Sequence, residues 1–299
     1  MNKIALAAGL SLLGTATSFA ADMAVKAPVA PLPPPCIWCG AYVGLNAGYA
    51  WADPSVDSSG AVVTNTGPGG FFLGVAPAAA TGLNASIPTH RDGFIGGGQI
   101  GYNWQAGNFV AGVEADLQWL SGRGSGTVVT SVPIPTFPGN FINATLTATN
   151  SVDWLGTLRG RAGFTLAPTF LVYATGGLAY GEAKSSTTIN QALVGPATTG
   201  ANAPYASVAN FSETRVGWTA GAGGEWMFAG NWSAKLEYLH YDLGSVSYGA
   251  NLSNLATPAA PVPAGTVLYT LRATSSTNFK GDIVRVGINY KFGAAPARY

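Results

Sequence analysis

The chain is short of charge and cysteine, and each shortage excludes a class of protein. Only 9% of its 299 residues are Asp, Glu, Lys or Arg, against about a quarter in a soluble globular domain. That rules out the basic footprint of a nucleic-acid binder and the charge-dense composition of a disordered tail. Two cysteines make neither a disulfide framework nor a four-ligand metal centre. No window after the amino terminus holds the 18 or more apolar residues that a helical membrane span requires. What is present is equally unlike a soluble domain: 41 Gly, 8 Trp and 12 Tyr, with a mean hydropathy of +0.24.

The amino terminus reads as an export signal over residues 1–20. Lys3 supplies the positive end, Ile4 to Leu13 the short apolar stretch, and Ser18-Phe19-Ala20 the small-x-small cleavage site. Cleavage before Ala21 removes Lys3 and leaves thirteen basic and thirteen acidic side chains, so the mature chain is neutral. An exported, charge-poor chain without a membrane helix is either a periplasmic or secreted globule or an outer-membrane β-barrel. Alternation separates the two, because a barrel in lipid shows an apolar outer face at every second residue, with aromatic rings at its rims.

Eight runs alternate in this way. Gly40 to Trp51 sets Ala41, Val43, Leu45, Ala47, Tyr49 and Trp51 against Tyr42, Gly44, Asn46 and Gly48, and the runs beginning near Gly93 and Phe109 repeat the pattern. Five more follow around Trp154–Phe164, Phe170–Tyr180, Val216–Phe228, Trp232–Tyr238 and Val284–Phe292. Eleven charges inside these runs, Glu114, Asp116, Asp153, Arg159, Arg161, Arg215, Glu225, Lys235, Glu237, Arg285 and Lys291, all take the parity opposite to the apolar face. Seven of the eight Trp take the apolar parity, and Trp38 just precedes the first run. Three connections are hairpin-short (Gln105 to Asn108, Thr165 to Thr169, Ala229 to Asn231). The other four, Ala52 to Asp92, Ser121 to Ser151, Glu182 to Thr214 and Gly244 to Asn278, run to roughly thirty or forty residues and read as long structureless loops. The expectation is an all-β, eight-stranded antiparallel transmembrane β-barrel over residues 40–299, with four long extracellular loops and short periplasmic turns. A Pro/Ala-rich periplasmic segment over 21–39 precedes it.

Three stretches carry a resemblance: Trp38-Cys39-Gly40-Ala41-Tyr42-Val43-Gly44-Leu45-Asn46-Ala47-Gly48-Tyr49, the segment Leu236-Glu237-Tyr238-Leu239-His240-Tyr241-Asp242-Leu243-Gly244, and Val286-Gly287-Ile288-Asn289-Tyr290-Lys291-Phe292. The chain resembles the small outer-membrane barrel proteins of alphaproteobacteria, the immunogenic or porin-family proteins, related in architecture to the OmpA barrel and opacity proteins. The likeness implies an outer-membrane location and passage through the barrel-assembly machinery. Arg285, Gly287, Tyr290 and Phe292 fit that machinery's recognition pattern, although Gly293 to Tyr299 follow it. It also implies a tether to peptidoglycan through a mature terminus beginning Ala21-Asp22.

Other motifs are set against plainer readings. Gly96, Gly98 and Gly101 spell G-x-G-x-x-G, but within an alternating strand rather than at a strand-to-helix turn, so glycine relieving a crowded wall is the expectation. Cys36 and Cys39 form C-x-x-C, read as a short-loop disulfide or as two idle thiols at the barrel lip. His240, with Tyr241 beside it, offers an axial haem ligand; interfacial packing or solvation is the plainer role for it and for His90. No G-x-S-x-G is present, and His240, Glu237 and Asp242 do not share one side of the wall, so no catalytic set and no cofactor is expected. The interior charges read as a paired polar core that closes the lumen, or alternatively as the lining of a narrow, weakly selective porin. The expected partners are outer-membrane lipid, the assembly machinery, peptidoglycan and an unidentified external ligand or host surface; the expected role is envelope integrity and surface interaction, with haem binding a lesser alternative.

Overall fold

The computed structural model describes residues 36–65, 70–196, 205–255 and 267–293. The export signal, Ala21, Asp22 and the Pro/Ala-rich segment as far as residue 35 lie outside them. Eleven strands and one helix follow in order: β1 Gly40–Ala52, β2 Ser55–Asn65, α1 Gly70–Thr81, β3 Ala85–Pro88, β4 Arg91–Ala106, β5 Phe109–Leu120, β6 Arg123–Pro133, β7 Phe141–Ala167, β8 Phe170–Val194, β9 Tyr205–Ala229, β10 Trp232–Leu255 and β11 Val267–Lys291.

Eight of these close a ring in the order β1-β4-β5-β7-β8-β9-β10-β11, every pair antiparallel, with β1 returning to β11 from Tyr42↔Lys291 to Trp51↔Asp282. At the lower end the strands are joined by tight turns. Gly107 and Gly230 stand there at φ 60° and 52°, in the left-handed region that glycine adopts without penalty. The lower wall is apolar outside: Leu45, Ile100, Leu117, Leu158, Leu178, Leu236 and Val286 are all exposed. Aromatic residues border this band below (Trp104, Phe164, Trp226, Trp232, Phe292) and above (Trp51, Phe94, Trp119, Trp218, Tyr238). Ten residues of tilted strand between the two girdles span about 25 Å, the height of an outer-membrane apolar band.

The four long connections are not structureless. The β7–β8 ladder runs up to Phe141↔Val194, β8–β9 to Gln191↔Tyr205 and β10–β11 to Leu255↔Val267. Three further strands add to the wall, β2 on β11, β3 on β2 and β6 on β7. The β9–β10 ladder stops at Trp218↔Asp242, so above that level the strands form two four-stranded sheets, β6-β7-β8-β9 and β10-β11-β2-β3. Val75, Ala76 and Ala79 of α1, with Leu83 just after it, are buried in one cluster with Ile142, Leu146, Ile189 and Leu271. The expected loops therefore become a second, apolar-cored storey. They escaped the sequence reading because the outward face turns polar above the upper girdle, which erases the lipid-facing alternation by which strands were recognised.

Candidate functional site: a charge-balanced lumen

Inward positions of the lower wall bring eight of the eleven expected charges into one buried network of four carboxylates and four cations. Glu114 and Asp116 come from β5, Arg159 and Arg161 from β7, Glu225 from β9, Lys235 and Glu237 from β10, and Arg285 from β11; each is at most 4% exposed. Arg159 donates through Nη2 to Glu114 at 2.5 Å and Asp116 at 2.8 Å, and through Nη1 to Glu237 at 3.1 Å. Arg285 donates through Nη2 to Glu237 at 2.6 Å and Asp116 at 2.9 Å, and through Nη1 to Gln118 at 3.2 Å. Lys235 Nζ reaches both oxygens of Glu114 at 2.9 and 3.0 Å. Arg161 donates to Glu225 at 2.7 Å, and its guanidinium lies 4.0 Å from the centre of the Tyr173 ring.

Neutral groups complete the shell. Tyr42 donates its hydroxyl to Glu114 at 2.7 Å. Ser233 and Asn289 donate to Glu225 at 2.6 and 2.8 Å, and a polar chain runs from Asn46 through Gln99 to Asn289. Balanced sign and dense hydrogen bonding are what make ionised groups tolerable away from water. Of the glycine triplet only Gly101 serves this packing: a Cβ there would sit 2.3 to 2.7 Å from the Tyr42 phenol, so Gly101 makes the space that side chain occupies, whereas a Cβ on Gly96 or Gly98 would meet nothing nearer than 3.8 Å. Gly287 gives the same kind of room to Lys235, whose side chain passes 3.2 Å from where a Cβ would stand.

Three expected members fall elsewhere. Asp153 sits where the β7–β8 register shifts between Val152 and Leu155; that bulge turns its side chain out to Lys184, at 2.6 Å, with both side chains 39% exposed. Arg215 lies above the last β9–β10 rung and donates to the Ser245 carbonyl at 3.3 Å. Lys291 is buried but remote from the network, donating to the Ile37 carbonyl. Of the assembly pattern, Arg285 points inward, whereas Tyr290 and Phe292 stand on the outer face with Trp232 beside Tyr290, rings 5.1 Å apart.

Both ends of the network meet apolar layers. Below, Trp38, 2% exposed, packs with Val110, Leu171, Tyr173 and Met227. Its backbone N–H donates to Gln105 Oε1 at 3.0 Å and its indole N–H to the Pro168 carbonyl at 3.1 Å. Cys36 and Cys39 are joined around it. Above, Ile95, Leu155, Ala179, Leu239 and Ile283 form a second layer. The Trp38 stopper was missed because a residue ahead of the first strand has no alternation to report its side; the C-x-x-C flanking it was the available signal.

His240 stands on the outer wall, its Nδ1 2.8 Å from Asp282 and its ring 5.4 Å from Trp218. His90 meets Asp53 at 2.8 Å in the exposed upper storey. Among the described residues no group of three His, Cys, Asp or Glu side chains could hold a metal ion.

An apolar outer band bordered by aromatic girdles, around a lumen that hides its charges, defines an outer-membrane β-barrel protein. The chain belongs to the outer membrane protein beta-barrel domain family, whose model matches residues 17–292. It is 32% identical over 298 residues to the 31 kDa outer-membrane immunogenic protein of Brucella melitensis biotype 1, covering 97% of this chain and 100% of that one. A 22 kDa outer membrane protein of Rhizobium leguminosarum bv. viciae is 34% identical over 181 residues, covering 60% of this chain and 66% of that one. Among solved structures, the outer membrane protein OprG of Pseudomonas aeruginosa aligns over 86% of this chain and 97% of its own, at 15% identity and a TM-score of 0.38. The protein is located in the outer membrane.

Proposed function

We propose that this eight-stranded barrel is a closed, non-catalytic scaffold: an anchor in the outer membrane that presents its upper storey outside the cell. The tight turns at Gly107 and Gly230 then face the periplasm, as do the ends of the described barrel at Cys36 and Gly293. The observation that carries the reading is the stacking of buried Trp38, the neutral charge network and the apolar layer at Ile283, which fill successive levels of the lumen with side chains. The alternative of a narrow porin needs such a column. Purified barrel in a planar bilayer at neutral pH is expected to stay silent; stable unitary current steps in the wild-type protein would replace the scaffold with the pore. Absorbance titration with haem, using His240→Ala as control, addresses the lesser alternative, and a spectral change that His240→Ala abolishes would establish it.

The tether completes the role. On this proposal the mature terminus beginning Ala21-Asp22 is joined covalently to peptidoglycan, with the Pro/Ala-rich sequence that follows as the spacer. Purified muropeptides are expected to carry a peptide beginning at Ala21, and their absence from a strain that expresses the barrel would remove the tether while leaving the scaffold.

A further inference from the structure

The two facing edges of β9 and β10 above the Trp218↔Asp242 rung are unlike the rest of the wall. From there upward β9 is paired only with β8 and β10 only with β11. Among the described residues the gap between them is crossed by side chains alone: Ser207 Oγ donates to the Asn251 carbonyl at 3.3 Å, Arg215 Nη2 donates to the Ser245 carbonyl at 3.3 Å, and on the inner side the Phe211 and Tyr248 rings stack 6.2 Å apart. The break begins at the register shift between Asp242 and Ser245, where Gly244 has φ 81°. A residue's N–H and C=O leave a strand on the same side. The Ser245 and Asn251 carbonyls therefore show that the backbone groups of Ser245, Ser247, Gly249, Asn251 and Ser253 all point into the gap.

Exposed edges normally carry protection: short strands, proline or charge. Of the four upper edges, β3 has four residues and ends in Pro88, β6 carries Arg123 and Pro133, and β9 carries Glu213 and Arg215. The stretch of β10 from Leu243 to Leu255 has neither proline nor charge. We propose that this edge of β10 accepts an extended, uncharged polypeptide segment of a protein outside the cell, which pairs with it as an added strand and displaces the Ser207 and Arg215 hydrogen bonds from its carbonyls. A second copy in the same membrane is disfavoured by geometry. Two barrels in one bilayer stand with parallel axes, so both β10 strands climb in the same direction and cannot pair antiparallel. The inference rests on the proposed outward orientation only for the source of the partner; the binding site itself is tested on purified protein, so the two fail separately.

The probe is an acetylated seven-residue peptide of alternating Thr and Val, N-methylated on alternate amides so that it has a single pairing edge. It is titrated onto full-length barrel in lipid nanodiscs, with folding of every variant checked by its heat-dependent shift on a gel. Wild type and Ser247→Ala are expected to bind saturably, with slowed amide exchange at Ser247, Gly249 and Asn251. Ser247→Pro removes an N–H that faces the gap while sparing the β11 ladder, and is expected to weaken binding about tenfold or more. No saturable binding, equal binding by Ser247→Pro, or protection that falls on β6 or β9 instead would overturn the proposal. Concentration-dependent dimers that Ser247→Pro abolishes would also overturn it, in favour of a second copy.

Discussion

Along β11 the same odd-numbered residues face inward from Tyr269 to Lys291, yet the chemistry of the two faces exchanges near Asp282. Below it, Val284, Val286 and Ile288 point out and Arg285, Asn289 and Lys291 point in. Above it, Thr274, Ser276, Asn278 and Lys280 point out and Leu271, Ala273 and Phe279 point in. One uninterrupted strand thus serves two solvents. In hydrocarbon the apolar surface lies outside and the core is held by ion pairs and hydrogen bonds; in water the apolar surface moves inside and the hydrophobic effect holds the core. The change needs no register slip on this strand, only a change in which parity carries the apolar side chains.

The two halves should therefore fail differently. The largest effect is expected in the lower core: Arg159→Leu leaves Glu114, Asp116 and Glu237 short of a shared cation and is expected to destabilise the barrel by about 3–5 kcal/mol, read as a lowered urea midpoint of the folded band. Leu271→Ala in the upper core is expected to cost about 2–4 kcal/mol. Its damage should stay local, so that the upper storey becomes protease-sensitive while the membrane ring keeps its gel shift. Equal loss of the ring in both variants would merge the two storeys into one cooperative unit.

Two substitutions on the outward face of β11 sharpen the contrast. Val286→Lys puts a charge on the lipid-facing wall and is expected to cost about 2–4 kcal/mol, whereas Ser276→Lys, ten residues up the same face, should change stability by less than about 0.5 kcal/mol. The smallest effect belongs to the Asp153–Lys184 pair above the girdle. The hydrogen bond from Lys184 holds the Asp153 carboxyl below its ordinary range. Its stabilising contribution is therefore present above the unfolded-state carboxylate range and is lost as pH falls through the lowered folded-state value, and exposure of the pair keeps it small. Unfolding midpoints of wild type and Asp153→Asn are expected to separate slightly at neutral pH and to converge in acid.

The lower half was legible in the sequence because lipid on one side enforces high contrast between neighbours: Val284, Val286 and Ile288 against Arg285 and Asn289 leave no doubt about parity. The upper half offers Ala273, Thr274, Ser275 and Ser276, where neighbours differ little, so its strands read as loop. The network was legible wherever the strands keep their period. Asp153 was misplaced by a bulge, which shifts parity without any residue that announces it, although Lys184 on the neighbouring strand supplies the cation it meets. Arg215 was misplaced because nothing in the sequence says where β9 parts from β10. The Trp38 stopper depends on chain outside the alternating runs and on contacts with four different strands, which periodicity along one strand does not encode.

The exchange of faces along β11 is tested most directly by nitroxide labels placed singly at Val286, Asn289 and Ser276 in lipid bilayers, with accessibility to oxygen compared with accessibility to a water-soluble nickel chelate. High oxygen and low nickel accessibility are expected at Val286, low accessibility to both at Asn289, and high nickel accessibility at Ser276. Nickel accessibility at Val286, or an oxygen-rich, nickel-poor Ser276, would contradict that exchange.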